Sequence, residues 1–120
     1  MLNTNLNHVE SDEAFQKVLQ DHENVLICCG REGPMCLPVY DAMESLESKY
    51  SGMTFRDMDF DGPASSNIKH LPEARGFMGL PFTIYFKKGK VVAATSSIQT
   101  KQQIREILDR QFNAAASKAA

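Results

Sequence analysis

The chain reads as a three-layer α/β sandwich with a central mixed β-sheet, and three observations predict it. The run 24-NVLICC-29 is continuously apolar, the mark of a strand covered on both faces. Around it, segments of helical periodicity alternate with strand-like segments, the arrangement that joins parallel strands. The segment 82-FTIYF-86, 87-KKGK-90, 91-VVAAT-95 then reads as a β-hairpin with Gly89 in its turn. It adds an antiparallel pair to the parallel strands.

Each element follows from local chemistry. Ser11-Asp12-Glu13 predicts a helix start: serine caps free N–H groups, and two acids suit the positive end of the helix dipole. Phe15, Val18 and Leu19 recur at i, i+3, i+4 and make one apolar face. After the apolar strand, Gly30 to Pro34 reads as a loop. Val39, Met43, Leu46 and Tyr50 then recur at helical spacing. Pro34 suits the first helical position, where its missing N–H costs little. Pro38, one turn on, predicts either a kink or the true start. Residues 53-MTFRDMDF-60 read as a second strand, ending in the turn Asp61-Gly62-Pro63. A short helix over 65–71 stops near Pro72. Thr100 opens the last helix, Gln103 completes a T-x-x-Q capping box, and Ile104, Ile107, Leu108 and Phe112 form its core face. The expected order is helix, strand, helix, strand, helix, hairpin, helix. It forms one domain over 1–113, followed by a low-complexity tail, 114-AAASKAA-120, to which no function is given.

At 120 residues the chain suits a single domain that buries roughly two-thirds of its unfolded surface. A net charge of −2 leaves no electrostatic footprint for nucleic acid or for an anionic membrane. No apolar run approaches the roughly 20 residues that cross a bilayer. The start, MLNTNLNHVESDEAF, lacks the basic and apolar regions of a signal peptide, so a cytoplasmic location is expected. The three cysteines, Cys28, Cys29 and Cys36, are odd in number and argue against a structural disulfide framework. His8, His22 and His70 are scattered, so neither a metal site nor a cofactor is expected. Oligomeric state is not legible.

Two stretches carry a resemblance. The first is 76-GFMGLPFTIYFKKGKVV-92, and the second is 23-ENVLICCGREGPMC-36. Together with the element order they resemble the thioredoxin family, from His8 to Phe112, with a few extra residues around 62–72. The first is similar to the family's G-I-R-G-I-P-T segment and the hairpin F-K-N-G-E-V. The second is similar to its strand, active-site loop C-G-P-C and helix start. The resemblance implies the thioredoxin fold and a cis-proline at Pro81, with Leu80 offering backbone groups to an extended substrate peptide; the alternative is a proline that only shapes the sheet edge. It places Cys36 on the family's second, resolving cysteine and Gly33 where the first, nucleophilic one stands. Glu32 and Cys29 fall on tryptophan positions, Ile27 on that of the buried aspartate, and Asp57 on that of its lysine partner. The glycine-proline character of the loop persists as Gly33-Pro34-Met35, shifted by one residue.

The resemblance leaves two readings of Cys36. A helix start favours its thiolate, the nucleophilic form, whereas a cysteine deeper in the fold is a small packing residue. Cys28 and Cys29 point to opposite faces of a strand. Cys28 reads as core, and Cys29, near the strand end, is a candidate partner for Cys36 or again core. Asp57 within a strand needs a partner or water. It reads either as a strand-end acid reaching solvent or pairing with Arg56 or a lysine, or as a proton carrier near Cys36. Arg31 and Glu32 read as solvated loop charges. Met35, Phe77 and Met78 read as an apolar rim or as core. The implied function is weak or monothiol disulfide exchange with protein or peptide thiols and disulfides. The alternative is a non-catalytic protein- or peptide-binding module. A peroxidase is not supported, because no T-x-x-C context surrounds any cysteine.

Overall fold

The central strand organises the rest of the molecule. The computed structural model describes residues 2–112; the expected tail at 114–120 lies outside the described residues. The elements are β1 (Asn7–His8), α1 (Asp12–Asp21), β2 (Asn24–Gly30), α2 (Leu37–Glu47), β3 (Thr54–Asp59), α3 (Ser66–Lys69), β4 (Phe82–Lys87), β5 (Lys90–Ser96) and α4 (Lys101–Phe112). Short 3-10 turns at Pro63–Ser65 and Pro72–Ala74 flank α3. The sheet order is β1-β3-β2-β4-β5. Strand β3 runs parallel to β1 and β2, while β4 runs antiparallel to β2 and β5. The expected mixed sheet is thus present, and all seven residues of β2 are buried.

Two apolar cores cover the two faces. On one, Leu26, Cys28, Phe55 and Tyr85 pack with Val39, Met43 and Leu46 of α2 and Ile104, Leu108 and Phe112 of α4. On the other, Val25, Ile27, Cys29, Met58 and Ile84 pack with Phe15 and Val18 of α1 and Ile68 of α3. Burying one such aliphatic side chain fully is worth about 1.5–3 kcal/mol, so β2 contributes to both layers at once.

The caps act as their residue types dictate. Ser11 accepts the amide of Ala14. Thr100 and Gln103 form the reciprocal box, with distances of 2.8 and 3.1 Å. Lys88 and Gly89 both have positive φ, 54° and 79°, the two-residue turn whose twist matches a hairpin.

Three expectations need correction. A two-residue strand, β1, precedes α1; so short a run carries no detectable alternation. Helix α2 begins at Leu37, with Pro38 in its first turn, so Pro38 marks the true start and Pro34 lies in the preceding turn. In that turn the carbonyl of Gly33 accepts the amides of Cys36 and Leu37, both at 3.0 Å. Finally, α2 ends at Glu47, although Tyr50 remains buried and its amide still reaches Leu46 at 3.1 Å.

Candidate functional site

The end of β2, the first turn of α2 and the loop before β4 meet at Gly30. A Cβ placed on Gly30 would lie 2.8 Å from Cys36 Sγ, 2.8 Å from Tyr40 Oη and 3.0 Å from Pro81 Cβ. No side chain fits there, and glycine lets the three groups converge. Cys36 is the N-cap residue of α2 and is 2% exposed. Its sulfur accepts the backbone N–H of Arg31 at 3.4 Å. The N-terminal end of a helix adds a favourable field for an anion there. The Leu80–Pro81 peptide bond is cis. Pro81 is buried, and Leu80 is half-buried between the two cores.

The loop itself is open. Gly33 is half-buried, and a Cβ added to it would meet no atom within 4 Å. Pro34 and Met35 are exposed, as is Leu37. Beside the Leu80–Pro81 loop, Met78 is 96% exposed and Phe77 is half-buried. Of the apolar side chains expected at the rim, Met35 and Met78 are exposed, and Phe77 is half-buried against the core.

The other two cysteines sit within the sheet. Cys28 lies between Asp57 and Thr83 on the face that also holds Cys36, with the Thr83 hydroxyl 3.9 Å from its sulfur. Cys29 lies between Met58 and Phe82 on the opposite face. All three thiols are free. Burial pushes the Cys28 thiol well above its usual range, against a smaller opposing pull from Thr83. Burial likewise pushes Cys29 up to about 12, moderated by Lys69. Neither is ionised at neutral pH. The sheet separates Cys29 from Cys36, whereas Cys28 shares the Cys36 core.

Asp57 is not the strand-end acid that its place in the sequence suggests. It has no solvent exposure, and its partners are neither Arg56 nor a lysine. One carboxylate oxygen accepts the Thr4 hydroxyl, and the other meets His8 Nδ1, each at 2.5 Å. Burial pushes this carboxyl up, against the pull of Thr4 and His8. The structure ties Asp57 to the N-terminal segment. Arg31 is exposed as expected, but it is not merely solvated: its guanidinium grips Asp61 at 2.7 and 2.9 Å and lies 5.1 Å from the Phe60 ring centroid. Ile27 is wholly buried on the Cys29 face, so that position holds no proton carrier.

The sequence marks neither Tyr40 nor Thr4, reads Gly30 as a loop residue although it ends β2, and reads His8 only as a scattered histidine. The one signal that could have found any of them is at Tyr40, which stands four residues after Cys36 and so shares its helical face. Among the described residues, no group of three or more His, Cys, Asp or Glu side chains is placed to hold a metal ion. No helix among them is long and apolar enough to cross a membrane.

Solved structures resemble this arrangement over nearly its whole length. A thioredoxin from Plasmodium falciparum superposes with a TM-score of 0.72 at 19% identity, covering 88% of this chain and 99% of that one. A mutant thioredoxin from Halobacterium salinarum gives 0.72 at 18%, over 92% and 95%. Oxidised thioredoxin O2 from Arabidopsis thaliana gives 0.71 at 15%, over 92% and 97%. The fold is the thioredoxin fold. No family model matches the sequence, and no curated protein sequence matches it. On the thioredoxin fold of this chain, the candidate site is the buried junction at Gly30, where one thiol, one proline and one phenol meet.

Proposed function

We propose that the chain performs slow disulfide exchange through Cys36 as a single thiol, acting on protein or peptide thiols and disulfides. The observation that carries this reading is the convergence of Cys36 Sγ and Pro81 on Gly30, with a backbone N–H aimed at the sulfur. The Cys36 thiolate attacks one sulfur of a substrate disulfide. The Cys36–substrate bond forms as the substrate S–S bond breaks, and the second sulfur leaves as a thiolate that takes a proton from water. Gly33 stands where a second thiol would be needed to resolve the product within the chain. The mixed disulfide therefore lasts until an external thiol attacks it and restores Cys36.

In this reading Leu80 and Pro81 form the ledge against which an extended peptide pairs. Gly33, Pro34 and Met35 form the facing wall. Cys29, behind the sheet, and Asp57, committed to Thr4 and His8, take no part in the exchange. The chemistry needs no cofactor, and its setting is the cytoplasm. A second reading, a peptide-binding module without turnover, is favoured by the 2% exposure of Cys36.

Incubation with a small aromatic disulfide, read by intact mass, decides between them. The expected result is one adduct per chain, absent in Cys36→Ser and removed by dithiothreitol. Three thiols that stay unmodified until the protein is unfolded would overturn the exchange reading and leave the binding module.

A further inference from the structure

We infer that Tyr40 is a positioning residue for Cys36, holding the Arg31 backbone donor on its sulfur. The inference rests on the reading of Cys36 as the reactive thiol. Three contacts fix Arg31 between the end of β2 and the open loop. Its N–H donates to Cys36 Sγ at 3.4 Å, its carbonyl accepts the Tyr40 hydroxyl at 3.2 Å, and its guanidinium grips Asp61. Two of the three come from one turn of α2, because Cys36 and Tyr40 are four residues apart. Without the hydroxyl, the residue that supplies the donor loses one of the two anchors that tie it to that helix.

The phenol is suited to this task. It is 1% exposed, and its oxygen flanks the same vacant Cβ position as the sulfur. Burial pushes its ionisation far above the usual range, so it remains an O–H donor throughout the working range of a thiol. Asp57, the buried acid of β3, is engaged elsewhere, and Ile27 supplies no carboxylate. A neutral phenol acting through a peptide group thus supports the thiolate.

The titratable groups coupled to Cys36 are Cys28 and Cys29 from β2, Arg31 from the loop and Tyr40 from α2, with Asp57 of β3 facing Cys28 and Tyr40. Burial keeps Cys28, Cys29 and Tyr40 neutral, and the contact with Asp61 keeps Arg31 charged. The Cys36 signal can therefore be read alone. The experiment follows ultraviolet thiolate absorbance against pH, taking the Cys36-dependent part by difference from Cys36→Ser, for wild type and for Tyr40→Phe against its own Cys36→Ser control. Losing one supported hydrogen bond moves the rise to higher pH by roughly half a unit to one unit. A rise superimposable on that of wild type overturns the inference. Should Tyr40→Phe lose its cooperative unfolding, the wild-type protein decides by NMR. The Arg31 amide proton is expected to shift over the same pH range as the Cys36 Cβ, and an indifferent Arg31 amide overturns the inference. The absorbance needs no turnover, so the two readings fail separately. A shifted profile without a mixed disulfide sinks the exchange reading alone, and a mixed disulfide with an unshifted profile sinks the role of Tyr40 alone.

Discussion

The carboxyl of Asp57, buried in the middle of the sheet, is held by Nδ1 of His8, a side chain that is 22% exposed. Thr4 closes the other side of the carboxyl. Beyond the pairing of β1 with β3, the segment is therefore fastened by the backbone bond from Val9 to Asp57 at 2.8 Å and by these side chains. This is a polar anchor for the N-terminal segment in a largely apolar face.

Removing His8 leaves a buried oxygen without its partner. His8→Ala is expected to lower stability by about 1–3 kcal/mol, toward the lower figure because water can enter at the half-open His8 position. The pH dependence follows from the direction of the Asp57 shift. Its carboxyl titrates higher in the fold than in the open chain, with burial outweighing Thr4 and His8, and Glu10 adding to the rise. The fold thus prefers the protonated acid. That contribution is fully present below the open-chain value of about 3.9 and is lost as pH rises through the folded value. Urea unfolding across mildly acidic pH measures it. Asp57→Asn should remove this falling component, and an Asp57→Asn curve parallel to that of wild type would refute the assignment.

The two loop glycines are expected to behave oppositely, because one is crowded and the other is not. Gly30→Ala forces a methyl group to within 2.8 Å of Cys36 Sγ and Tyr40 Oη and 3.0 Å of Pro81 Cβ. Such overpacking costs about 1–3 kcal/mol, which lowers the thermal midpoint by several degrees in a domain of this size. Gly33→Ala meets open space and is expected to leave the midpoint unchanged or slightly raised, by about 0.4–1 kcal/mol through the unfolded chain. Equal midpoints for the two variants in a calorimetric scan would contradict the packing at Gly30.

The layers were legible because local signals agreed with global ones. The apolar run of β2, the Ser11 cap and the Thr100-Gln103 box each state their element within a few residues. The Gly30 junction was not legible in the same way. Its meaning comes from atoms brought together from positions 36, 40 and 81, and a glycine that opens a loop reads as a loop residue. Asp57 was harder still: its partners Thr4 and His8 lie 53 and 49 residues away in the chain, in a segment too short to show periodicity. Burial, not exposure, thus decides how that acid behaves.

The open space at Gly33 also lets a thiol be added there. Gly33→Cys places a sulfur in the loop whose carbonyl already caps the turn to Cys36, so the backbone needs no rearrangement to accept it. The variant creates a C-x-x-C spacing with Cys36, and on the proposed exchange reading a second thiol would resolve the mixed disulfide within the chain. Insulin disulfide reduction is expected to rise clearly above the wild-type rate, and oxidation of the variant should remove two hydrogens in a step that Cys36→Ser abolishes. A folded variant that gains neither the activity nor the internal disulfide would show that Gly33 does not stand opposite Cys36 as the thioredoxin motif requires. The function would then have to be sought on the exposed surface around Met35 and Met78 rather than at the sulfur.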